Sequence, residues 1–153
     1  MTTGSPRRYL KPGVVTRLGF NKAVAALTGL GLSVRGSRVL AVRGRQSGQW
    51  RTTPVNPLSH DGQHYLVAPR GETQWVRNLR AAGEGELRLG GHAEPFTATE
   101  IDDDAKPAVL RDYLAHWKTE VGAFFGGVGP DASDAELRGI APGYPVFRIT
   151  PKP

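Results

Sequence analysis

Apolar positions recur along the chain with two different periods, and the alternation between them marks out the elements. Between 13 and 30, Val14, Leu18, Val24 and Leu27, with Phe20, gather on one side of a helix, and Arg17 and Lys22 lie on the other. Such a helix is expected to pack on a core. Its alternative use, as a basic amphipathic helix, is to touch a membrane surface or to cover a pocket mouth. Arg38–Arg43 is an apolar run bounded by Gly36 and Gly44, which reads as a strand. Residues 52–58 resume as a strand, with Pro54 and Pro57 placing it at an edge or a bulge. His60-Asp61-Gly62-Gln63 is a hairpin turn, because Asp-Gly tolerates positive φ, and 64–68 is the returning strand.

The period then changes. Over 72–82, Trp75, Val76, Leu79 and Ala82 share one helical face, Arg77 and Arg80 point elsewhere, and Gly83 and Gly85 end the helix. Residues 86–89 alternate, with Leu87 and Leu89 inward. Gly90-Gly91 turns the chain, and 92–101 returns. Asp102-Asp103-Asp104 is expected to cap a helix that has Pro107 in its first turn and Val109, Leu110, Tyr113, Leu114 and Trp117 as its buried stripe. A Gly/Pro loop at 126–133 leads to Ser133-Asp134-Ala135-Glu136, a capping-box pattern for a short helix, and 144–149 is a last strand. Four or five antiparallel strands joined by tight turns, one inserted helix, a helical segment and a terminal strand predict an antiparallel barrel rather than a Rossmann sheet. Residues 1–12 are expected to form a flexible basic arm, and 13–153 a single domain.

Composition sharpens this picture. Twenty glycines and twelve prolines in 153 residues suit short strands and many turns. The absence of cysteine excludes disulfides, thiolate nucleophiles and cysteine-ligated zinc or iron–sulfur centres, and is compatible with a reducing cytoplasm. No secretory signal or transmembrane segment is expected, because Arg17, Asn21 and Lys22 interrupt the first apolar stretch. The expected location is therefore the cytoplasm, with association at a membrane surface through helix 13–30 as the variant. Net charge is +6, and its distribution is uneven: residues 1–60 hold ten Lys or Arg and no Asp or Glu. Such a half favours a polyanionic ligand, an anionic lipid surface or nucleic acid. Nucleic acid ranks last, since the chain lacks the interleaved aromatic and basic residues of an RNA-binding sheet.

The candidate chemistry lies in that basic half. Gly44-Arg45-Gln46-Ser47-Gly48-Gln49-Trp50-Arg51-Thr52-Thr53-Pro54 puts two arginines, two glycines and three hydroxyl residues between two strands. Glycines let the backbone turn sharply around an anion, exposed N–H groups line the concavity, and arginines grip phosphate with two parallel donors. Read alone, the segment is equally a hairpin loop with solvent-facing arginines. A second constellation, Ala68-Pro69-Arg70-Gly71 followed by Trp75-Val76-Arg77-Asn78-Leu79, ends a strand and opens a helix, where the dipole favours an anion. Asn78 is three residues from Trp75, near the same face, and its amide needs a partner in backbone or ligand. His60, His64, His92 and His116 show no metal spacing, so no metal is expected, and there is no nucleophile elbow.

Together the two segments resemble the deazaflavin-dependent nitroreductase family, whose members use coenzyme F420. The family pattern is GR(K)SG, then R-T-P, a hairpin, and a strand ending before a W-x-x-N-L helix. It is met here by Gly44 to Gly48, by Arg51-Thr52-Thr53-Pro54 and by Trp75 to Leu79, within a match from Arg38 to Ile101 and a compatible terminal Pro145 to Ile149. Gln46 stands where the family often has Lys, and Val76 where it often has an aromatic residue.

The resemblance implies a mainly β (α+β) split barrel of the FMN-binding type. It implies that Arg45, Gln46, Ser47, Gly48, Arg51, Thr52, Thr53 and Pro54 hold the phosphate and acidic tail of F420, and that Ala68, Arg70, Gly71, Trp75, Val76 and Asn78 border its ring. It also implies a reductase that passes a hydride to an apolar acceptor, a quinone, enone or nitro compound, in a monomer or homodimer. FMN is the alternative cofactor. A proton would follow from solvent or from Tyr9, Tyr113 or Tyr144. The acceptor would enter beside helix 13–30 and loop 120–133, where Phe124 and Phe125 offer apolar surface.

Overall fold

The structure, a computed structural model, describes residues 37–153. The expectations for arm 1–12, helix 13–30 and Tyr9 fall outside the described residues. Seven strands form one antiparallel sheet: β1 (Arg38–Arg43), β2 (Trp50–Val55), β3 (Leu58–His60), β4 (Gln63–Val67), β5 (Glu84–Leu89), β6 (His92–Glu100) and β7 (Val146–Pro151). Helix α1 (Gln74–Ala82) lies between β4 and β5, and α2 (Lys106–Val121) and α3 (Asp134–Ile140) lie between β6 and β7.

The strand order, β2-β1-β5-β6-β7-β4-β3, puts β2 at one end of the sheet and β3 at the other. Only Asn56 and Pro57 separate them in sequence. Three Cα steps reach about 11 Å at most, so the two ends must lie side by side. The sheet therefore curls into a barrel, left split where β2 and β3 face each other without pairing. Proline cannot donate to a ladder, which suits Pro54 to a sheet-end strand and Pro57 to the break. The expected single strand over 52–58 is thus two strands on opposite ends of the sheet, and the strand count rises to seven.

Burial explains the sequence patterns. In β1, Val39, Leu40, Ala41 and Val42 are all buried, as a continuous apolar run requires when both faces are covered. Leu40, Val42, Val55, Leu66, Phe96, Phe147 and Ile149 form one core with Val76 and Leu79 of α1. A second core unites Leu58, Val67 and Val146 with the stripe of α2, Val109, Leu110, Tyr113, Leu114 and Trp117. The Trp117 indole N–H donates to the Pro57 carbonyl at 3.1 Å, and the Ser37 hydroxyl donates to Asn56 Oδ1 at 2.8 Å, so the crossover is held from both sides. The Asp61-Gly62 hairpin forms with both φ angles positive, and Ser133 and Glu136 complete the capping box of α3.

Two local expectations differ. Asp103 to Ala105 form a 3₁₀ turn, and no side chain there caps α2. Instead Asp103 pairs with the buried Lys106 ammonium at 2.7 Å, and Lys106 donates to the Ala141 carbonyl. A buried ammonium must find oxygens, and that demand outranks the cap. Ala82 is exposed, because α1 ends at Gly83 before its last turn reaches the barrel.

Candidate functional site

A groove of about 520 Å³ lies between the β1–β2 hairpin and the N-terminal end of α1. One wall is the basic turn. Gly44 N–H donates to Gln49 O at 2.7 Å, Gly48 N–H donates to Gly44 O at 2.9 Å, and Gln49 N–H donates to Ser47 Oγ at 3.2 Å. Gly48 has φ +73°, which a side chain would strain, and a Cβ on Gly44 would meet Ser47 Oγ at 2.9 Å. The turn thus requires glycine at 48, whereas a side chain at 44 would displace the Ser47 hydroxyl.

The opposite wall is α1, and Arg45 joins the two. Its backbone N–H donates to Asn78 Oδ1 at 3.1 Å, and its Nη1 donates to Asn78 Oδ1 at 2.8 Å and to Gln74 Oε1 at 2.9 Å. The buried Asn78 amide thus finds its partner in the basic turn. Both acceptors are neutral, so the guanidinium is fixed in place with its charge uncompensated. Arg51 and Arg70 also line the groove, and among the described residues no carboxylate does. Arg51 is held by its backbone in the β1–β2 ladder opposite Val42, and among the described residues its side chain has no hydrogen-bond or ion-pair partner. The carboxylate nearest in sequence to this wall, Glu72, is buried and takes both oxygens to Arg80, at 2.6 and 2.7 Å. Arg80 also reaches Glu100, and its hydrogen bonds to Glu100 and Glu72 hold its pKa above the ordinary arginine value.

Two further features complete the walls. Trp75 is half-buried, with its ring 5.9 Å from Phe147. Thr73, at the N-cap of α1, is 6% exposed, lines the groove, and has a hydroxyl with no hydrogen-bond partner among the described residues.

Nine of the fourteen residues expected from the sequence line this groove: Arg45, Gln46, Ser47, Arg51, Thr52, Thr53, Arg70, Trp75 and Asn78. Gly48 lies in the turn behind it, and Pro54 lies further along β2. Ala68 and Val76 are buried in the barrel core, and Gly71 (φ +84°) shapes the bend before α1. Gly44, which opens the candidate segment, lines the groove as well, and Val42, Thr73 and Gln74 line it without having been expected. Gln74 carried a signal, since it stands four residues before Asn78, on the same helix face. Thr73 carried one too, as a hydroxyl residue preceding a helix.

Of the expected proton donors and acceptor path, Tyr113, Tyr144, Phe124 and Phe125 fall among the described residues, and none of these four lines the groove. Tyr113 is fully buried in the core with α2, and burial pushes its phenol well above the ordinary tyrosine pKa. Tyr144 is buried, stacks on Phe125 at 4.2 Å, and donates to the Phe124 carbonyl. Phe124 and Phe125 belong to that same core and do not line the groove. Aromatic residues of the loop were needed to close a second core, which sequence periodicity does not separate from a pocket wall. Among the described residues no cluster could hold a metal ion, and no helix is long and apolar enough to cross a membrane.

Solved structures share this fold. An F420-H2 dependent reductase, FDR-A, is similar with a TM-score of 0.54 and 17% identity, over 76% of this chain and 95% of that one. A protein solved as a domain-swapped dimer is similar with a TM-score of 0.55 and 17% identity, over 88% and 93%. Atu2129 from Agrobacterium tumefaciens str. C58, of unknown function, gives 0.54 and 20%, over 94% and 60%. At such identities the likeness establishes the split barrel. No curated protein matches the chain significantly. The sequence profile of the F420H(2)-dependent quinone reductases matches residues 17–121, which ranks FMN second. Because that match covers more than half of the sequence, the chain belongs to the F420H2-dependent quinone reductase family: it is an F420-dependent reductase, and coenzyme F420 is its cofactor.

Proposed function

We propose that the groove between the β1–β2 hairpin and α1 is the F420 site, and that the enzyme reduces a small apolar acceptor there. A quinone is the first choice, as the family's description suggests, and enones and nitro compounds accept hydride by the same chemistry. The donor set fits the cofactor. A phosphodiester with an oligoglutamate tail needs cations and N–H groups, and among the described residues the groove has three arginines, Ser47, Thr52 and Thr53, and no carboxylate. Its volume is within the range of small-molecule sites.

When bound, reduced F420 supplies a hydride from its deazaflavin ring. The protein binds and orients. Arg45, held by Asn78 and Gln74, and Arg51 would take the phosphate and tail. Trp75, backed by Phe147, offers an apolar wall for the ring and shields the acceptor from water. None of the described residues lining the groove is an acid near neutral pH, which leaves solvent, or Tyr9 outside them, to give the proton that completes reduction.

The observation that carries this proposal is the Arg45 bridge, which brings the two sequence motifs to one cleft. Its test is acceptor-dependent oxidation of F420H2 with a quinone, an enone and a nitroaromatic compound. Turnover well above the protein-free rate is expected with the quinone. If none of the three classes is reduced faster than in the absence of protein, the acceptor assignment fails.

A further inference from the structure

Thr73 is locked by its backbone yet leaves its hydroxyl unused. Its N–H donates to Gly71 O at 2.8 Å, and its carbonyl accepts from Arg77 N–H at 3.3 Å. On one side Glu72 is clamped by Arg80, and on the other α1 runs for nine residues. With φ −79° and ψ 177°, Thr73 has the backbone of an N-cap, but its side chain makes no cap bond. Its Oγ1 is buried without a partner among the described residues, in a residue that lines the groove. Leaving a buried hydroxyl unpaired is costly, and such a group at a groove wall is open to a bond from a ligand. The first-turn N–H groups of α1 open beside it and carry the positive end of the helix dipole.

We infer that the Thr73 hydroxyl is a ligand-binding group that donates to an acceptor oxygen of bound F420, with the open first turn of α1 facing the same oxygen. The inference rests on the groove being the F420 site. It makes Thr73 a determinant of affinity, and it predicts that the hydroxyl contributes nothing to the ligand-free fold.

Two variants test it by F420 titration and by melting of the ligand-free protein. Thr73→Val removes the hydroxyl at constant shape, and Thr73→Ser keeps it. Thr73→Val is expected to bind F420 about tenfold more weakly, while its ligand-free melting point stays level or rises. Thr73→Ser is expected to bind within about twofold of the parent. A loss shared by a deazaflavin without phosphate and tail assigns the oxygen to the ring, and a loss confined to F420 assigns it to the phosphodiester. Undiminished F420 affinity in Thr73→Val overturns the inference, as does a melting point lowered by several degrees, which would make the hydroxyl a helix cap. Failure of the parent protein to bind F420 is a separate result and removes the groove assignment itself.

Discussion

Arg45 is the residue on which the site turns, because one side chain connects the hairpin to the helix through Asn78 and Gln74. Asn78 Oδ1 takes two of its donors, one of them charged. Asn78→Ala should therefore cost about 1–3 kcal/mol of stability, read by denaturant unfolding, and should weaken F420 binding as the guanidinium loosens. Gln46 lines the same groove and carries no charge where relatives often have Lys. Gln46→Lys should tighten F420 binding about three- to tenfold at low salt, with the gain fading as salt rises. Equal affinities for the two proteins at low salt would show that position 46 does not face the anion. Most of this wall was legible, because glycines, arginines and hydroxyls at turn spacing have few other uses together. Thr73 was missed although a hydroxyl residue before a helix is a cap signal, since the expected helix start at Glu72 placed it inside the helix.

At the scale of elements, α1 is bolted to the barrel by Arg80, which joins Glu72 on its own N-terminal side to Glu100 of β6. Glu72 is buried, so removing the arginine leaves a carboxylate without its partner. Arg80→Ala should destabilise the fold by about 3 kcal/mol, and Arg80→Lys should recover only part, because an ammonium cannot serve two carboxylates with a flat fork of donors. A melting point unchanged in Arg80→Ala would contradict the bolt. None of this pairing could be read from the sequence, since Arg80 and Glu100 are twenty positions apart and look like solvated charges. The hairpins and the α2 stripe were legible because period and turn chemistry are local. The aspartates before α2 misled for a related reason: a capping pattern is local, whereas the buried Lys106 that takes Asp103 is a demand of packing.

Across the whole molecule, the split barrel emerges from one constraint, a two-residue passage between opposite ends of the sheet. An antiparallel barrel was legible in the strand and turn pattern and its split form was implied by family resemblance, but the place of the split was not, because the pattern ran the two end strands together. The same passage holds α2 in place through Trp117. The charge imbalance of the sequence is realised in space, since the acid-free half supplies the hairpin wall and the acids lie mostly on other elements. Binding of F420 should therefore weaken steadily with ionic strength, as expected for a polyanion drawn to a cluster of arginines.

The most direct measurement is fluorescence titration of oxidised F420 with the parent protein and with the Arg45→Ala/Arg51→Ala double variant, circular dichroism confirming that both are folded. Saturable binding by the parent and an affinity at least about tenfold lower in the variant are expected, because two charged donors are lost. Equal affinity of the two folded proteins would mean that the cofactor lies outside the groove between hairpin and helix.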